Sequence, residues 1–487
     1  MTDWIKEHVR TLSHLSKLAA ASAEQLFLQP VRVELDERMR VNPTYKLAYL
    51  NALNLISRMF PQVQFEAVAD EPLLILPWGS GTPVTAKQDA ELTLVFGNAH
   101  GSQTGQKTVT ANCHGWSVYV DTPIDANPDE PWNPILALVT ACHAAARCTQ
   151  LVLGDSVEGE AHWKPFSILD FSGGRVEFDW SAELSLGEAH LAGIGAIGSG
   201  FLYALAAHGR AAGRLVLIDH DRVEISNLGR YTFFDARDEG EFKTAAATKR
   251  LQKFGLSLDV IPVEKRFEEY FKEGYDGDRR FRVENLISAP DRRSTRRRFQ
   301  RFLPRRMWDA STGPNQVVVH SNSFDRALAC TECIYPETPD ERTRERHIAA
   351  SLNVELERIE SGEPISTEDA KKIVERYPER TADELVGRAF DSVFRNLCSA
   401  GELRVAGEIV HAPFSFVSGL AGVLLYFEFV KSLRPEAFGG FEKCNYFQVN
   451  PLRLPNPEFR EERPSRSECM CQKEEFRAVY DRLWAVT

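Results

Sequence analysis

Residues 190–200 read HLAGIGAIGSG: a short apolar run that passes into Gly193, Gly195 and Gly198, spaced GxGxxG, and then into helix-forming sequence. Nothing else in the chain restricts its fold as strongly. A strand that turns into a helix within so few residues needs positions without a Cβ, and the helix N-terminus it creates favours anions such as phosphate. Asp219 closes the next apolar run, RLVLID, about 20 residues further on, where a carboxylate can meet a ribose hydroxyl. A plain strand–helix turn would satisfy the glycines alone, and to this point a dinucleotide-dependent dehydrogenase fits as well as any other nucleotide binder.

The hydrophobic pattern around the turn alternates strand and helix. From residue 175, strands are expected at AHLAG, RLVLID (214–219), VIPVE (260–264), VENLISA (283–289) and QVVVH (316–320), with helices through residue 208 and over 243–254. Such a series predicts an α/β, Rossmann-like unit with a mostly parallel sheet and helices on both faces. The first third is α/β as well. VRVEL (31–35), LTLVFG (92–97) and WSVYVDT (116–122) read as strands, 45–59 as a helix, and residues 129–132 open an apolar helix with Pro134 in its first turn. It carries no glycine fingerprint, and WGSGTP (78–83) has the wrong continuation, so this half reads as catalytically silent. Residues 338–397 are charged and helix-forming, with Ser366 and Asp369 set for a capping box, and read as a helical insertion or mobile lid. The expected division is 1–174, 175–337, 338–397 and 398–487.

At 487 residues the chain has room for about three domains. A net charge of -11 excludes a general nucleic-acid binder, which needs a basic surface. No uninterrupted apolar run reaches the roughly 20 residues of a bilayer span. The run at 413–433 is broken by Ser415, Ser418, Glu428 and Lys431 and reads as a buried core helix, so no membrane partner is expected. MTDWIKEHVRTLSHL at the N-terminus reads as an amphipathic helix, without the apolar core or cleavage site of a signal peptide. Nine cysteines in a chain of this size are no disulfide framework, and a reducing, cytoplasmic setting is expected.

The segment after RLVLID separates the nucleotide-binding alternatives. DHD supplies Asp219 and Asp221, SNLGRY supplies Asn227 and Arg230, and Lys243 follows. A dehydrogenase needs no such cluster there, whereas a triphosphate does, because cations neutralise charge developing on a leaving pyrophosphate. Asp291, just past a later strand, is placed to hold Mg2+, a hard cation that takes carboxylate and phosphate oxygens.

These residues resemble the ThiF/MoeB and ubiquitin-activating enzyme superfamily, whose adenylation domain orders GxGxxG, D-x-D, sNlnRq, a lysine and an aspartate. Residues 186–333 and 398–472 carry the likeness. It implies a ThiF/MoeB adenylation fold in which Asp219 binds ribose, Asn227, Arg230 and Lys243 contact the ATP phosphates, and Asp291 ligates magnesium. Two positions depart from the pattern: Arg292 stands where the family has asparagine, and Tyr231 where it has glutamine.

Cys330 and Cys333 form CTEC, and Cys469 and Cys471 form CMC. Four thiolates in two close pairs can complete a tetrahedral structural Zn2+ site, inert in the reaction, and the family resemblance includes paired cysteines at both places. Cys398, in RNLCSAGELRVAG with Arg395 nearby, is the candidate thioester nucleophile, because a thiolate suits an acyl adenylate. Cys444 is the reserve candidate. Cys113, Cys142 and Cys148 read as core, and His114, His143 and His320 have no metal spacing and receive no role.

What the resemblance implies is ATP- and Mg2+-dependent adenylation of the C-terminal carboxylate of a ubiquitin-like protein. Capture on Cys398 and transfer to a conjugating enzyme would follow, with the first half as the inactive adenylation half. Proteins of this kind occur in bacterial antiviral operons. Adenylation of a sulfur-carrier protein for thiamine or molybdopterin synthesis, adenylation of a peptide in natural-product maturation, and a non-enzymatic scaffold stand as alternatives. A homodimer is compatible with the family pattern, and the source of any arginine that a partner half sends to ATP is open.

Overall fold

The computed structural model describes residues 28–66, 71–77, 90–98, 107–153, 163–313, 316–324, 327–390, 393–394, 404–405, 408–409, 414–441 and 444–485. Two compact units form, Met1–Ile334 with Ala412–Thr487, and Tyr335–His411.

The first unit contains two sheets. In VRVEL the alternation buries Val31 and Val33 and makes β1 (Val31–Leu35). Asn42 then caps α1 (Pro43–Ile56), its Oδ1 accepting from the amides of Thr44 and Tyr45 at 2.9 and 3.1 Å. β2 (Val63–Phe65), β3 (Leu92–Phe96), β4 (Lys107–His114) and β5 (Ser117–Val120) follow, then α2 (Pro134–Leu153) and β6 (Phe166–Ser167). The strand order is β2-β1-β3-β4-β5-β6, parallel from β2 to β4 and antiparallel beyond. β4 is absent from the sequence reading. Its KTVTANCH buries Val109, Ala111 and Cys113 on one face and the polar Asn112 on the other, and reads as polar in a short window.

The second sheet is built by β7 (Leu184–Ala192), α3 (Ala196–His208), β8 (Ala211–Ile218), α4 (Lys243–Leu251), β9 (Ser257–Val263), α5 (Phe267–Gly277), β10 (Asn285–Ser288), α6 (Arg293–Gln300), β11 (Arg306–Thr312) and β12 (Val317–Asn322). The βαβ series holds through β11. The strand in QVVVH, expected within that series, runs antiparallel to β11 instead. The four residues between β11 and β12 allow only a hairpin, since a parallel return needs a crossover of a dozen residues or more. A short helix, α7 (Thr331–Ile334), ends this part.

Tyr335–His411 holds α8 (Pro339–Leu352), α9 (Leu356–Ser361), α10 (Thr367–Arg376), α11 (Ala382–Leu385) and the two-stranded β13 (Arg404–Val405) and β14 (Glu408–Ile409). It has its own core, including Ile348, Leu352, Ile359, Ile373, Phe390 and Phe394. The capping box read from ISTEDAKK is present at the start of α10: Ser366 Oγ accepts from the Asp369 amide, and Asp369 Oδ2 from the Ser366 amide.

The chain re-enters the first unit with α12 (Ser415–Leu433), followed by α13 (Pro435–Phe438), β15 (Tyr446–Val449), β16 (Arg460–Glu461) and α14 (Glu474–Trp484). The second sheet is ordered β16-β15-β12-β11-β10-β7-β8-β9. Its five strands from β11 to β9 are parallel. α2 and α12 are long and apolar enough to span a bilayer, but 89% and 83% of their apolar windows are buried inside the protein. One hydrophobic core runs through both sheets and takes in α1, α2, α3 and α12.

Candidate active site

Register levels the carboxyl ends of the central strands. Ala192 of β7 pairs with Ile218 of β8 and Ser288 of β10, and Ser288 pairs with Asp309 of β11. Whatever follows β7, β8 and β10 therefore collects in one crevice, where open α/β sheets bind ligands.

β7 feeds the glycine turn. Gly193 has φ +94°, and a Cβ there would lie 2.7 Å from the carbonyl oxygen of Ala289. A Cβ on Gly198 would lie 2.2 Å from the Gly193 oxygen. Both positions must be glycine, and the fit presses the residues after β10 against the turn. α3 starts at Gly195 without a side-chain cap, so its first amides face the crevice uncapped by the protein's side chains.

β8 delivers the carboxylates. Asp219 is 9% exposed; its Oδ2 accepts from the Ile194 amide at 2.6 Å and its Oδ1 from the Asp221 amide at 2.9 Å. It braces the glycine turn and keeps acceptor capacity on both oxygens. Asp221 Oδ2 meets Lys243 Nζ at 2.9 Å. Burial pushes the Asp221 carboxyl up, and the Lys243 ammonium with His220 more than offsets it, leaving it at about 2. Burial works against the charge of Lys243, but Asp219, Asp221 and Tyr231 hold its pKa well above the usual lysine value. Lys243 opens α4, and its amide bonds the Asp221 carbonyl, so backbone and side chain fix the same pair.

Asn227 ends a 3-10 turn (Ile225–Asn227), and its carbonyl accepts from the amides of Arg230 and Tyr231. The Tyr231 ring centre is 5.8 Å from the Arg230 guanidinium and 5.3 Å from Lys243 Nζ. Asp291 is exposed and follows the Ala289–Pro290 step that abuts Gly193. A hard oxygen ligand beside the glycine turn fits Mg2+ chemically.

The structure thus gathers Gly193, Gly195, Gly198, Asp219, Asp221, Asn227, Arg230, Lys243 and Asp291 at one sheet edge. Sequence reading missed two neighbours. His220 lies with Asp219 and Asp221, ligating atoms within 4.8 Å of one another. Arg296 hides in the arginine-rich run of α6, bonds the carbonyls of Pro290 and Ala310, and pairs with Asp309 Oδ1 at 2.6 Å. It fixes the backbone immediately before Asp291. Only a buried acidic partner in a strand the pattern did not reveal distinguishes it from its neighbours.

The four paired cysteines converge as well. Sγ of Cys330 lies 3.7 Å from Cys333 and 3.4 Å from Cys469, and Cys333 lies 3.7 Å from Cys471. Zinc–sulfur bonds of about 2.3 Å in a tetrahedron require sulfurs about 3.8 Å apart, far beyond a disulfide. All four are buried, and Gln300 Nε2 and the Arg466 amide donate to Cys330 and Cys333 at 3.2 and 3.3 Å, which suits thiolates. A 3-10 turn at Met470–Gln472 folds the tight CMC spacing into place. The residues fit a structural Zn2+ that would clamp the C-terminal segment. β12 leads to Cys330, and its last residue, Asn322, pairs with Met307 near the start of β11. The cluster is therefore at the amino edge of the sheet, opposite the glycine turn. Cys471→Ser is expected to lower bound zinc, measured by metal analysis, to below about 0.1 per chain and to lower the melting temperature, because metal binding is folding free energy.

Cys398 and Arg395 lie outside the described residues, as does WGSGTP. Cys444 precedes β15, whose antiparallel pairing with β12 also puts it at the amino edge. Burial pushes its thiol up, and Sγ donates to the Tyr446 carbonyl at 3.1 Å. The glycine crevice is on the other side of the sheet. Cys113, Cys142 and Cys148 are core residues. His114 bonds Glu130, His320 bonds the Ala329 carbonyl and His143 packs on Trp163 and Phe166.

Residues 181–472 match the model of the ThiF family. A protein of Sinorhizobium fredii (strain NBRC 101917 / NGR234), y4jF, described as uncharacterized, is 28% identical over 316 residues, 62% of this chain and 59% of that protein. The chain thus spans less than two thirds of that relative's length. Among solved structures, Escherichia coli MccB with MccA-N7isoASN has a TM-score of 0.37 at 14% identity, covering 59% of this chain and 67% of that one. E. coli MccB with AMPCPP and SeMet MccA has 0.36 at 13%, covering 59% and 67%. MccB alone has 0.35 at 16%, covering 58% and 64%. The family match takes in more than half of the sequence, and the chain belongs to the ThiF family.

Proposed function

We propose that this member of the ThiF family binds ATP in the crevice above β7, β8 and β10 and adenylates the C-terminal carboxylate of a ubiquitin-like protein. The observation that carries the reading is the Asp221–Lys243 pair, held at 2.9 Å beside the uncapped start of α3. A buried ammonium already poised at an anion-binding turn can exchange its carboxylate for phosphate without reorganising.

Asp219 would take the ribose hydroxyls with its remaining lone pairs. The glycine-turn amides would hold the phosphates, with Lys243, Arg230 and Asn227 on the side of the leaving group. Asp291 would hold Mg2+, which supplies further charge neutralisation on the phosphate oxygens. The substrate carboxylate attacks the α-phosphorus, a carboxyl O–P bond forms, the P–O bond from the α-phosphorus to the bridging oxygen breaks, and pyrophosphate leaves with that electron pair, its charge neutralised by Lys243 and Arg230. In a second step the Cys398 thiolate displaces AMP to give a thioester, which a conjugating enzyme takes over. The 1–174 half would be silent, with 175–337 and 398–487 as the working adenylation domain and 338–397 as its insertion. What supports silence is the equivalent edge of the first sheet, a cavity of about 470 Å³ lined by Asp121, Asp125, Asn98 and Asn112, unsuited to phosphate. A cytoplasmic setting and a place in an antiviral conjugation system rest on the sequence resemblance.

The test is intact mass without reductant after incubation with ATP·Mg2+ and a glycine-ended ubiquitin-like protein, with pyrophosphate release followed in parallel. An adduct that dithiothreitol releases and Cys398→Ala abolishes is expected. Pyrophosphate without an adduct would move the assignment to a sulfur-carrier or peptide substrate, and neither signal would leave a scaffold.

A further inference from the structure

A buried arginine of the first α/β half grips the backbone that carries the ATP-site arginine. Arg58 follows α1 and has 0% exposure. Its Nη1 donates to the Leu228 carbonyl, its Nη2 to the carbonyls of Phe234 at 2.9 Å and Ile75 at 3.1 Å, and its Nε to Asn54 Oδ1 at 2.8 Å. Asn54, one turn earlier, donates from Nδ2 to the Thr232 carbonyl at 2.9 Å. Asn54 on α1 and Arg58 just beyond its end thus hold three carbonyls, those of residues 228, 232 and 234. Arg230 lies inside the held segment, flanked by Leu228 and Thr232. The grip is reinforced from 71–77, where the Pro77 carbonyl accepts from the Ala236 amide at 2.8 Å and the Leu73 carbonyl from the Tyr203 hydroxyl at 2.8 Å. A buried guanidinium spent on carbonyls rather than carboxylates is costly to keep and useful only if the backbone it fixes must stay fixed.

We infer that the first half is a brace for the nucleotide site, with Arg58 and Asn54 as positioning residues that set the placement of Arg230 and so the affinity for ATP. The inference rests on the ATP reading of the crevice. It differs from an arginine that reaches ATP itself, because the Arg58 guanidinium is fully buried and its Nε, Nη1 and Nη2 all donate within the protein.

Amide hydrogen exchange, and ATP–pyrophosphate exchange with a glycine-ended ubiquitin-like protein supplying the carboxylate, test it on the full chain with Asn54→Ala, Arg58→Lys and, as a packing control about two turns before Asn54 on α1, Leu47→Ala. In Asn54→Ala and Arg58→Lys, amides of residues 228–236 should exchange at least about 10-fold faster than in the wild type. KM for ATP should rise about 10-fold with kcat within about 3-fold. Leu47→Ala, with a lowered melting temperature, should change neither. Unchanged protection and KM in the two brace variants would overturn the brace, as would equal changes in Leu47→Ala. Should Arg58→Lys fail to fold, Asn54→Ala against Leu47→Ala decides. A wild type that binds no ATP in calorimetry overturns the ATP reading, and the hydrogen-exchange comparison still decides the brace.

Discussion

Lys243→Ala is expected to lower the rate of ATP–pyrophosphate exchange by about 10²–10³-fold, the usual cost of removing one preorganised electrostatic contact to a developing charge. Asp291→Ala should be as severe, through the Mg2+ it would hold. Lys243→Arg should recover little, since a planar fork does not replace a point charge where the lysine side chain is 5% exposed. Asp221→Asn should raise KM for ATP, because the lysine loses the partner that aims it. If Lys243→Ala keeps exchange within about 3-fold of the wild type, the triphosphate reading of this crevice fails. The pair also sets a pH window. The depressed Asp221 pKa contributes stability that is present above the unfolded carboxyl value near 4 and lost as pH falls through about 2. The raised Lys243 pKa contributes stability that is present below the ordinary lysine value and lost only above it. Between about pH 4 and pH 10 the pair should hold the loop unchanged, and loss of exchange near pH 6 would have to come from another group.

Asp309→Ala should destabilise the first unit by about 3–5 kcal/mol, because it strands a buried guanidinium. Arg296 and Asp309 are 3% and 0% exposed, and Ser288 Oγ donates to the second Asp309 oxygen at 2.8 Å. A loss of that size corresponds to a fall of about 4–6 °C in melting temperature for a unit of this size. Arg296 also holds the Pro290 carbonyl, so the milder Asp309→Asn should weaken the Mg2+ dependence of exchange before it unfolds the protein. Denaturant midpoints and Mg2+ titrations of exchange read the two effects separately. A melting temperature within about 1 °C of the wild type, taken as about 1 kcal/mol or less, would mean that the pair is compensated by solvent or by a neighbouring group.

Much of this architecture is local and therefore legible. The glycine spacing around Gly193 and Gly198 demands a strand–helix turn because any Cβ would strike backbone. RLVLID ends in an aspartate one residue past the end of β8, and Pro134 marks a helix start through a rule that spans a few residues. The chain's own order also placed CTEC and CMC as paired thiols, since each pair is close in sequence. Local pattern failed where strands were half polar, as in KTVTANCH and RMWDAST, and where a four-residue connection reversed the direction of QVVVH.

The sequence by itself therefore determined the α/β class, the family and the inventory of charged groups around the turn, since each is written in neighbours a few residues apart. Only the tertiary structure decided that Lys243 answers Asp221, that the Tyr231 ring lies within 6 Å of both Arg230 and Lys243, that the cysteine cluster and Cys444 sit at the edge of the sheet away from the turn, and that Arg58 holds a segment 170 residues away. Those relations depend on which strands pair and in which direction. Pairing is settled by the burial of whole faces and by connection length, quantities that no short window of sequence contains.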